Sequence, residues 1–310
     1  MKKQSTVAAP ANAVKKNGYN LAKFKVDLAG WILLIPSIAC FLFFVIIPMF
    51  GTIQTAFYTT KGMKMVDFCG FDNFKVVFAY PSFWKAVQNS VMYVIWSLIL
   101  GLLLPLIIAA CCAETTRGRS FFRVAARMPS IIPAIASLLV LTYFFRSDGQ
   151  GVLNILFSKI GLGPFKWLNN SNYTIIWIIV ASTWKGAGGT ALLYMAAMAD
   201  VPQDLYEAAA LDGASPMRRF MSITWPAIKG QFQLLFVLQI IGVFQILYEP
   251  MLMTNGGPNN ASISLLLLIY FLAFRDSRVG VACALGVVVT LFLVGFSILR
   301  AVLQNRNKED

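Results

Sequence analysis

The chain has 310 residues, of which 58% are hydrophobic and only 13% are charged, and it contains no His. Soluble domains carry about 25% charged residues, so this composition excludes an ordinary soluble protein. The apolar excess also excludes an intrinsically disordered chain. A membrane protein with several spanning helices remains, and its net charge of +13 then sets orientation rather than binding nucleic acid.

Six apolar segments meet or approach the ~20 residues that a helix needs to cross a bilayer. In chain order they are Ala29–Phe50, Val87–Ala113, Met128–Phe145, Tyr173–Met198, Phe232–Met253 and Val279–Val302. The third is the shortest, and Pro129 and Pro133 near its start leave its boundary open. A seventh apolar run, Ala261–Phe274, is more typical of a re-entrant or interfacial helix. The sequence therefore predicts an all-α polytopic membrane protein with six transmembrane helices.

The distribution of Lys and Arg predicts that both termini are cytoplasmic. With the N-terminus inside, sixteen basic residues fall in the inner segments and nine in the outer ones, and Lys185 lies within a span. The nine outer residues are Lys61, Lys64, Lys75, Lys85, Arg146, Lys159, Lys166, Arg275 and Arg278. The predicted organisation is a basic cytoplasmic tail at 1–28, a membrane region at 29–302 and a cytoplasmic C-terminal tail at 303–310.

The connection between the fourth and fifth spans, residues 200–230, is predicted to form a helix–turn–helix. Asp204 suits the first turn of a helix, where the helix dipole favours an anion. Asp212-Gly213 ends that helix, because Gly accepts the left-handed conformation found at many helix ends. Ser215-Pro216 then begins a second helix as N-cap and first residue, and Pro226 interrupts it before the fifth span.

The first helix of this connection is acidic. It carries Asp200, Asp204, Glu207 and Asp212 and no basic residue, so an anionic membrane surface would repel it. Most helix–helix connections also need only 2–8 residues. A protein-docking element is therefore the favoured interpretation, with a simple connector as the alternative.

Glu207-Ala208-Ala209, Gly213, Ile223 and Pro226 resemble the EAA motif of ABC-importer permeases. That motif reads EAA, three residues, G, about nine residues and then I-x-L-P; this chain reads I-T-W-P, with Trp225 in the position of Leu. The segments LLIPSIACFLFFVIIPMF, CGFDNFKVVF, MTNGGP and FRDSRVGVACAL resemble other parts of the multiple-sugar type of this family. The resemblance implies the type I importer architecture with six spans.

The resemblance also implies a function. The chain would be the permease subunit of an ATP-driven, binding-protein-dependent carbohydrate importer in the cytoplasmic membrane of a bacterium or archaeon. Its partners would be a second homologous permease, two cytoplasmic ATPases and an extracellular solute-binding protein. The residues coupling it to the ATPases would be Glu207, Ala208, Ala209, Asp212, Gly213, Ala214 and Pro226.

The sequence contains no G-x-x-x-x-G-K-[ST] motif, which is the loop that cradles nucleotide phosphates in many ATPases. ATP and Mg would therefore be bound by the partner ATPases, and the chain itself would be neither an enzyme nor the holder of a cofactor or metal. The cluster Gly186-Ala187-Gly188-Gly189-Thr190 lacks the required Lys, and it predicts close helix packing by small residues instead.

Polar side chains inside apolar spans are costly and mark a candidate substrate path. The candidates are Trp184, Lys185, Gln239, Gln245, Tyr248 and Glu249. Aromatic rings stack on sugar faces, and amides satisfy sugar hydroxyls. The two Gln residues are six positions apart and need not face the same way.

Structural roles for these residues stay open. Each Gln could form an interhelical hydrogen bond, and Lys185 could pair with an acidic residue such as Glu249 or extend towards water. If the Lys185 ammonium instead faces the pore, it would favour an acidic solute.

An ion-coupled secondary transporter is the alternative function. Such a protein more often needs acidic or His residues in the membrane, and Glu249 alone meets that description here.

Overall fold

A computed structural model describes residues 21–114 and 119–309, and their structure is mostly helical. The helices are α1 Leu21–Phe41, α2 Ile47–Thr55, α3 Asp72–Ala79, α4 Phe83–Trp96, α5 Leu103–Glu114, α6 Arg119–Ile131, α7 Ala134–Phe144, α8 Val152–Ser158, α9 Thr174–Ala199, α10 Gln203–Leu211, α11 Pro216–Arg219, α12 Trp225–Phe244, α13 Tyr248–Thr254, α14 Leu265–Tyr270 and α15 Val279–Glu309. π-Helical turns lie at Leu42–Ile46, Ser97–Leu102, Phe220–Thr224 and Phe271–Arg275. Strands β1 Tyr58–Lys61 and β2 Lys64–Phe68 form an antiparallel hairpin.

Parts of both predicted tails lie outside the described residues. Residues 1–20 of the predicted N-terminal tail are not among them, and neither is Asp310 at the C-terminus. Within the part that is described, α15 continues through the predicted C-terminal tail as far as Glu309.

Five helices within the described residues are long and apolar enough to cross a membrane, and a bent pair makes a sixth if it is counted as one span. The five are Gly30–Thr55, Phe83–Ala113, Thr174–Ala199, Pro216–Phe244 and Val279–Val302. Four of them correspond closely to the first, second, fourth and sixth predicted segments. The several long apolar helices that the composition predicted are therefore present.

The third predicted segment, Met128–Phe145, is not one straight helix. Ser120–Ile131 and Ala134–Phe144 are bent by 95° relative to each other. Pro133 lies in the break between them, where its ring and its missing N–H prevent α6 from continuing. The helix on the N-terminal side of the break also begins earlier than the hydropathy of the sequence suggested.

The fifth predicted segment, Phe232–Met253, is displaced towards the N-terminus in the structure. The helix runs from Pro216 to Phe244, and Pro226 does not interrupt it. The π-helical turn Phe220–Thr224 precedes Pro226. Its i→i+5 hydrogen bonds replace the α-helical pattern there, so the helix continues although Pro226 has no N–H to donate.

The seventh apolar run forms a short helix, as its length predicted. Leu265–Arg275 comprises α14 and the π-helical turn that follows it. Leu267, Leu268 and Leu272 in this helix are fully or almost fully buried. They pack in a hydrophobic cluster with Phe83 and Leu285, so this segment contributes to the protein core.

The loop between α13 and α14 is held against α4 by buried polar side chains. The Asn89 amide nitrogen donates to the carbonyl oxygens of Asn260 and Ile263, at 2.8 and 2.9 Å. The Tyr93 hydroxyl donates to the carbonyl oxygen of Ser262 at 2.9 Å. Because buried carbonyls need hydrogen-bond partners, the side chains of α4 supply donors to the carbonyl oxygens of this irregular loop.

A second set of polar contacts joins the α3–α4 connection to the segment between α14 and α15. The Tyr80 hydroxyl donates to Asp276 Oδ2 at 2.8 Å, and Arg275 Nε donates to Asp276 Oδ1 at 2.9 Å. The hydrogen bond from Arg275 lowers the pKa of the Asp276 carboxyl. Partial burial and the hydrogen bond to Asp276 raise the pKa of Tyr80.

Helices α6 and α9 approach each other closely at one glycine. A Cβ atom added to Gly188 would lie 2.0 Å from the carbonyl oxygen of Ala126 and 2.9 Å from the Cα of Arg127. The same addition at Gly186 or Gly189 would meet no atom within 4 Å. Close packing, predicted for the glycine cluster as a whole, is therefore a property of Gly188.

We expect Gly188→Ala to destabilise the protein and Gly189→Ala to leave it nearly unchanged. The first substitution forces two helix backbones apart, at a cost of about 1–3 kcal/mol or more, whereas the second points into open space. Thermal unfolding of the purified protein in detergent measures the difference. Equal midpoints for the two variants would contradict the backbone contact.

Candidate functional site

Helix α10 lies at the surface, and it carries the motif residues. None of its residues is buried; Glu207 and Ala208 are exposed and Ala209 is half-buried. Leu211, at its C-terminal end, is 90% exposed. The motif residues on α10 are therefore accessible to a partner protein.

The turn after α10 has a defined hydrogen-bonding pattern. Gly213 adopts φ +74°, the Ala214 N–H donates to the Ala209 carbonyl at 2.9 Å, and the Gly213 N–H donates to the Ala210 carbonyl at 3.0 Å. These two bonds form a Schellman motif, which requires a left-handed residue at the position of Gly213. The predicted role of Asp212-Gly213 in ending the helix is confirmed, and the turn fixes the direction in which α10 protrudes.

A hydrogen bond ties α10 to the helix that follows. The Tyr206 hydroxyl lies 2.8 Å from Thr224 Oγ1, and Thr224 is buried in the π-helical turn just before Pro226. The adjacent Trp225 packs edge-on against Phe232, with ring centroids 5.1 Å apart. The hydrogen bond between Tyr206 and Thr224 therefore joins α10 to the helix Pro216–Phe244.

A groove of about 1100 Å³ lies beside α10. Glu207 and Tyr206 form part of its wall, together with residues near the C-terminal ends of α5 and α9. Asp204, Glu207 and Asp212 are all exposed, so this surface presents several carboxylates to a partner.

A separate polar cavity of about 330 Å³ lies among the spanning helices. It is bordered by the π-helical turn Ser97–Leu102, by α9 and by the segment from α12 to α13. Its polar lining residues are Ser97, Ser182, Thr183, Thr190, Gln239, Gln245, Tyr248 and Glu249. Four of the six predicted substrate-path residues are thus brought together.

The break after α12 explains how two Gln residues six positions apart reach the same cavity. Gln245 leaves the helix with φ −101° and ψ 11°, and Leu247 follows with φ −128° and ψ −57°. The helix therefore ends at the cavity, and α13 adds Tyr248 and Glu249 to the lining. Helical periodicity alone does not reveal this arrangement.

The two amides are free to bind a solute. Within the described part of the chain, neither the Gln239 nor the Gln245 side chain makes a hydrogen bond, so the interhelical bond considered from the sequence is absent there. Gln239 is half-buried and Gln245 is exposed. Together with the hydroxyls of Ser97 and Thr183, these groups can donate to and accept from a polyhydroxylated ligand.

The structure does not place Lys185 and Trp184 at this cavity. The Lys185 ammonium donates to the carbonyl oxygen of Ile132 at 2.7 Å, and no ion pair within 4 Å joins it to Glu249 among the residues that the structure describes. Trp184 borders a different cavity of about 350 Å³, whose surface is almost entirely apolar. Lys185 therefore satisfies a carbonyl at the break between α6 and α7, which accounts for a charge inside an apolar helix.

Sequence reasoning missed Ser97, Gly101 and Thr183 as residues of this site. Each is a small residue within an apolar run, and small residues there are usually explained by helix packing. The π-helical turn that presents Ser97 and Gly101 has no distinctive sequence signal. Among residues 21–114 and 119–309 no group of three His, Cys, Asp or Glu side chains is arranged to hold a metal ion.

Comparisons with known proteins agree with this architecture. Residues 101–309 match the family model of the binding-protein-dependent transport system inner membrane component. The chain is 30% identical to a probable ABC transporter permease protein, YurN, of Bacillus subtilis, over 90% of this chain and 97% of that protein. It is 26% identical to the arabinooligosaccharides transport system permease protein AraP of the same organism, over 99% of this chain and 98% of that one.

A solved structure is also similar. It is a bacterial alginate ABC transporter in complex with an alginate pentasaccharide-bound periplasmic protein. One of its chains superimposes with a TM-score of 0.77 and 28% sequence identity, covering 90% of this chain and 96% of that one.

We expect Lys185→Met to lower the thermal stability of the protein and Lys185→Arg to retain most of it. Met removes a charged donor from a carbonyl at a helix break, and hydrogen bonds to charged groups contribute about 1.5–3 kcal/mol when well buried, less where water reaches them as it does here. The guanidinium of Arg can still reach the Ile132 carbonyl. Thermal unfolding in lipid nanodiscs measures both, and equal loss in the two variants would contradict the capping role.

Proposed function

The chain belongs to the family of binding-protein-dependent transport system inner membrane components, and on that basis we propose that it is the permease subunit of an ATP-driven carbohydrate importer. One structural connection is the main support for this proposal. An exposed docking helix, α10, is bonded to a spanning helix whose other end lines a polar cavity. Such a connection is what an importer needs in order to convert an event at its surface into a change at its solute path.

The proposed topology has six spans, with α6 and α7 together forming the third, and both termini in the cytoplasm. Lys and Arg are in excess in the segments that lie on the same side of the membrane as the N-terminus, which supports this orientation. It places α10 in the cytoplasm and the β1–β2 hairpin outside, in a bacterial or archaeal cytoplasmic membrane. The membrane region extends over 29–302, between a basic tail at 1–28 and a short tail at 303–310.

The proposed partners are a second homologous permease, two cytoplasmic ATPases and an external solute-binding protein. The periplasmic protein in complex with the alginate transporter supports the last of these. ATP and Mg would be bound by the ATPases, because this sequence has no phosphate-binding loop. The chain then forms one half of the translocation pathway and needs no cofactor of its own.

Coupling would proceed through α10. Glu207 offers its carboxylate to a basic group of the ATPase, while Ala208 and Ala209 let the partner approach the helix backbone closely. Asp212, Gly213 and Ala214 form the turn that holds α10 rigid. Closure of the ATPases on ATP would displace α10 and, through the Tyr206–Thr224 contact, the helix that begins at Pro216 and contains Pro226.

The proposed solute is an uncharged carbohydrate. The polar cavity is lined by hydroxyls, two amides and a single carboxylate, Glu249, and no Lys or Arg is among its lining residues. Lys185, which would have favoured an acidic solute, donates to Ile132 instead. The arabinooligosaccharide permease among the relatives supports a neutral solute. The alginate transporter differs in this respect, because alginate is an acidic polysaccharide.

ATP hydrolysis by the reconstituted complex tests this proposal. The chain is co-expressed with the ATPases, permease and binding protein encoded beside it, and the complex is placed in liposomes with a panel of neutral and uronate sugars. We expect neutral sugars to stimulate hydrolysis and uptake. Stimulation by uronates alone would overturn the solute class, and uptake without ATP would favour the ion-coupled secondary transporter.

We expect Gly213→Val to abolish transport while the protein still inserts in the membrane, and Gly213→Asn to retain much of it. A β-branched residue is strongly disfavoured at φ +74°, whereas Asn tolerates this conformation. No atom lies within 4 Å of the added Cβ, so the effect comes from the backbone alone. Uptake and co-purification of the ATPase are measured together, and normal uptake by Gly213→Val would contradict the role of the turn.

A further inference from the structure

Gly101 lies where the π-helical turn Ser97–Leu102 faces α12 across the polar cavity. A Cβ atom added to Gly101 would lie 2.9 Å from Gln239 Nε2, 3.6 Å from Gln239 Cδ and 3.5 Å from Thr183 Oγ1. The first distance is too short for a real contact. The amide of Gln239 therefore occupies space that exists only because residue 101 has no side chain.

The geometry differs from that of the other close glycine contacts. At Gly188 the obstructing atoms belong to the helix backbone, which cannot move without separating two helices. At Gly101 the obstructing atoms belong to the end of a long side chain with several rotatable bonds. A small side chain at position 101 would consequently displace the Gln239 amide rather than prevent folding.

We propose that Gly101 determines which carbohydrates pass this chain, by fixing the position of the Gln239 amide and with it the free width of the cavity. Gly101 is a positioning residue, and Gln239 is the group that meets the solute. This inference rests on the proposed transport function, which it deepens by assigning a size selectivity to one contact. Larger side chains at position 101 move Gln239 and favour shorter solutes.

Two features make Gln239 sensitive to this contact. Its side chain has no hydrogen-bond partner among the described residues, so no other interaction holds it in place. Thr183 borders the same gap, with its Oγ1 3.5 Å from the position of the added Cβ, and it is nearly fully buried. A methyl group at position 101 therefore displaces the Gln239 amide, which no hydrogen bond from the described residues retains.

The test compares Gly101→Ala with Gly189→Ala. Gly189 does not line the cavity, and a Cβ added there meets no atom within 4 Å, so this variant adds the same methyl group to a membrane helix without displacing Gln239. Maximal uptake rates are measured for neutral oligosaccharides of increasing length, each at saturating solute-loaded binding protein. Under that condition the affinity of the binding protein does not enter the comparison.

We expect Gly101→Ala to lower the ratio of long-solute to short-solute rates by about threefold or more, within the range that one hydrogen bond accounts for. Gly189→Ala should leave the ratio unchanged. An unchanged ratio in Gly101→Ala, or an equal change in both variants, would overturn the inference. A wild-type complex that responds to no carbohydrate would instead overturn the proposed function.

A double variant separates positioning from a general structural effect. If Gly101 acts through Gln239, adding Gly101→Ala to Gln239→Ala should not change the solute ratio further, because the displaced group is already absent. If the two changes add fully, Gly101 acts by another route and the inference fails. Thermal unfolding midpoints of the single variants, expected to lie close to wild type, exclude misfolding as the cause.

Discussion

The contact between the backbones of α9 and α6 at Gly188 fixes the positions on which the rest of the site depends. Because no side chain separates the two helices there, their relative position along the axis is set by backbone atoms of Ala126 and Arg127. One turn away, this arrangement brings Lys185 to the free carbonyl of Ile132 at the break between α6 and α7. Further along α9, Thr183 reaches the polar cavity. The same stretch of α9 thus holds the close backbone approach, a charged donor that finds a carbonyl acceptor, and a polar group of the cavity.

The helix Pro216–Phe244 connects the surface of α10 with the polar cavity. Its first part holds Thr224, which bonds to Tyr206 of the exposed helix α10, and its later part holds Gln239 in the cavity. Gln239 is fifteen residues after Thr224, which corresponds to about 22 Å of helix. A helix is stiff over this length, and in the proposed importer a displacement of α10 would move the cavity wall as well. The acidic surface of α10 and the polar cavity therefore share one helix.

Several features follow from the sequence because their causes are local. Long apolar runs predict spanning helices wherever they occur, since backbone groups in a bilayer must be satisfied within the helix. Asp212-Gly213 predicts the end of α10 because only a residue that tolerates positive φ completes the Schellman turn. Pro129 and Pro133 signalled an uncertain third segment, but not its 95° bend. The prediction that Pro226 interrupts the helix was wrong, because a π-helical turn before it accommodates the missing backbone hydrogen bond.

The predicted substrate-path residues show the same difference between local causes, which the sequence contains, and tertiary contacts, which it does not. The sequence by itself determined the membrane class, the acidic helix α10 with its terminating turn, and a set of polar residues that are costly within apolar helices. Only the tertiary structure decided that Gln239, Gln245, Tyr248 and Glu249 share a cavity, that Lys185 caps a helix break, and that Gly101 makes room for an amide. The physical reason is that these roles depend on which atoms from distant parts of the chain come within a few ångströms. Neither hydropathy nor helical periodicity contains that information.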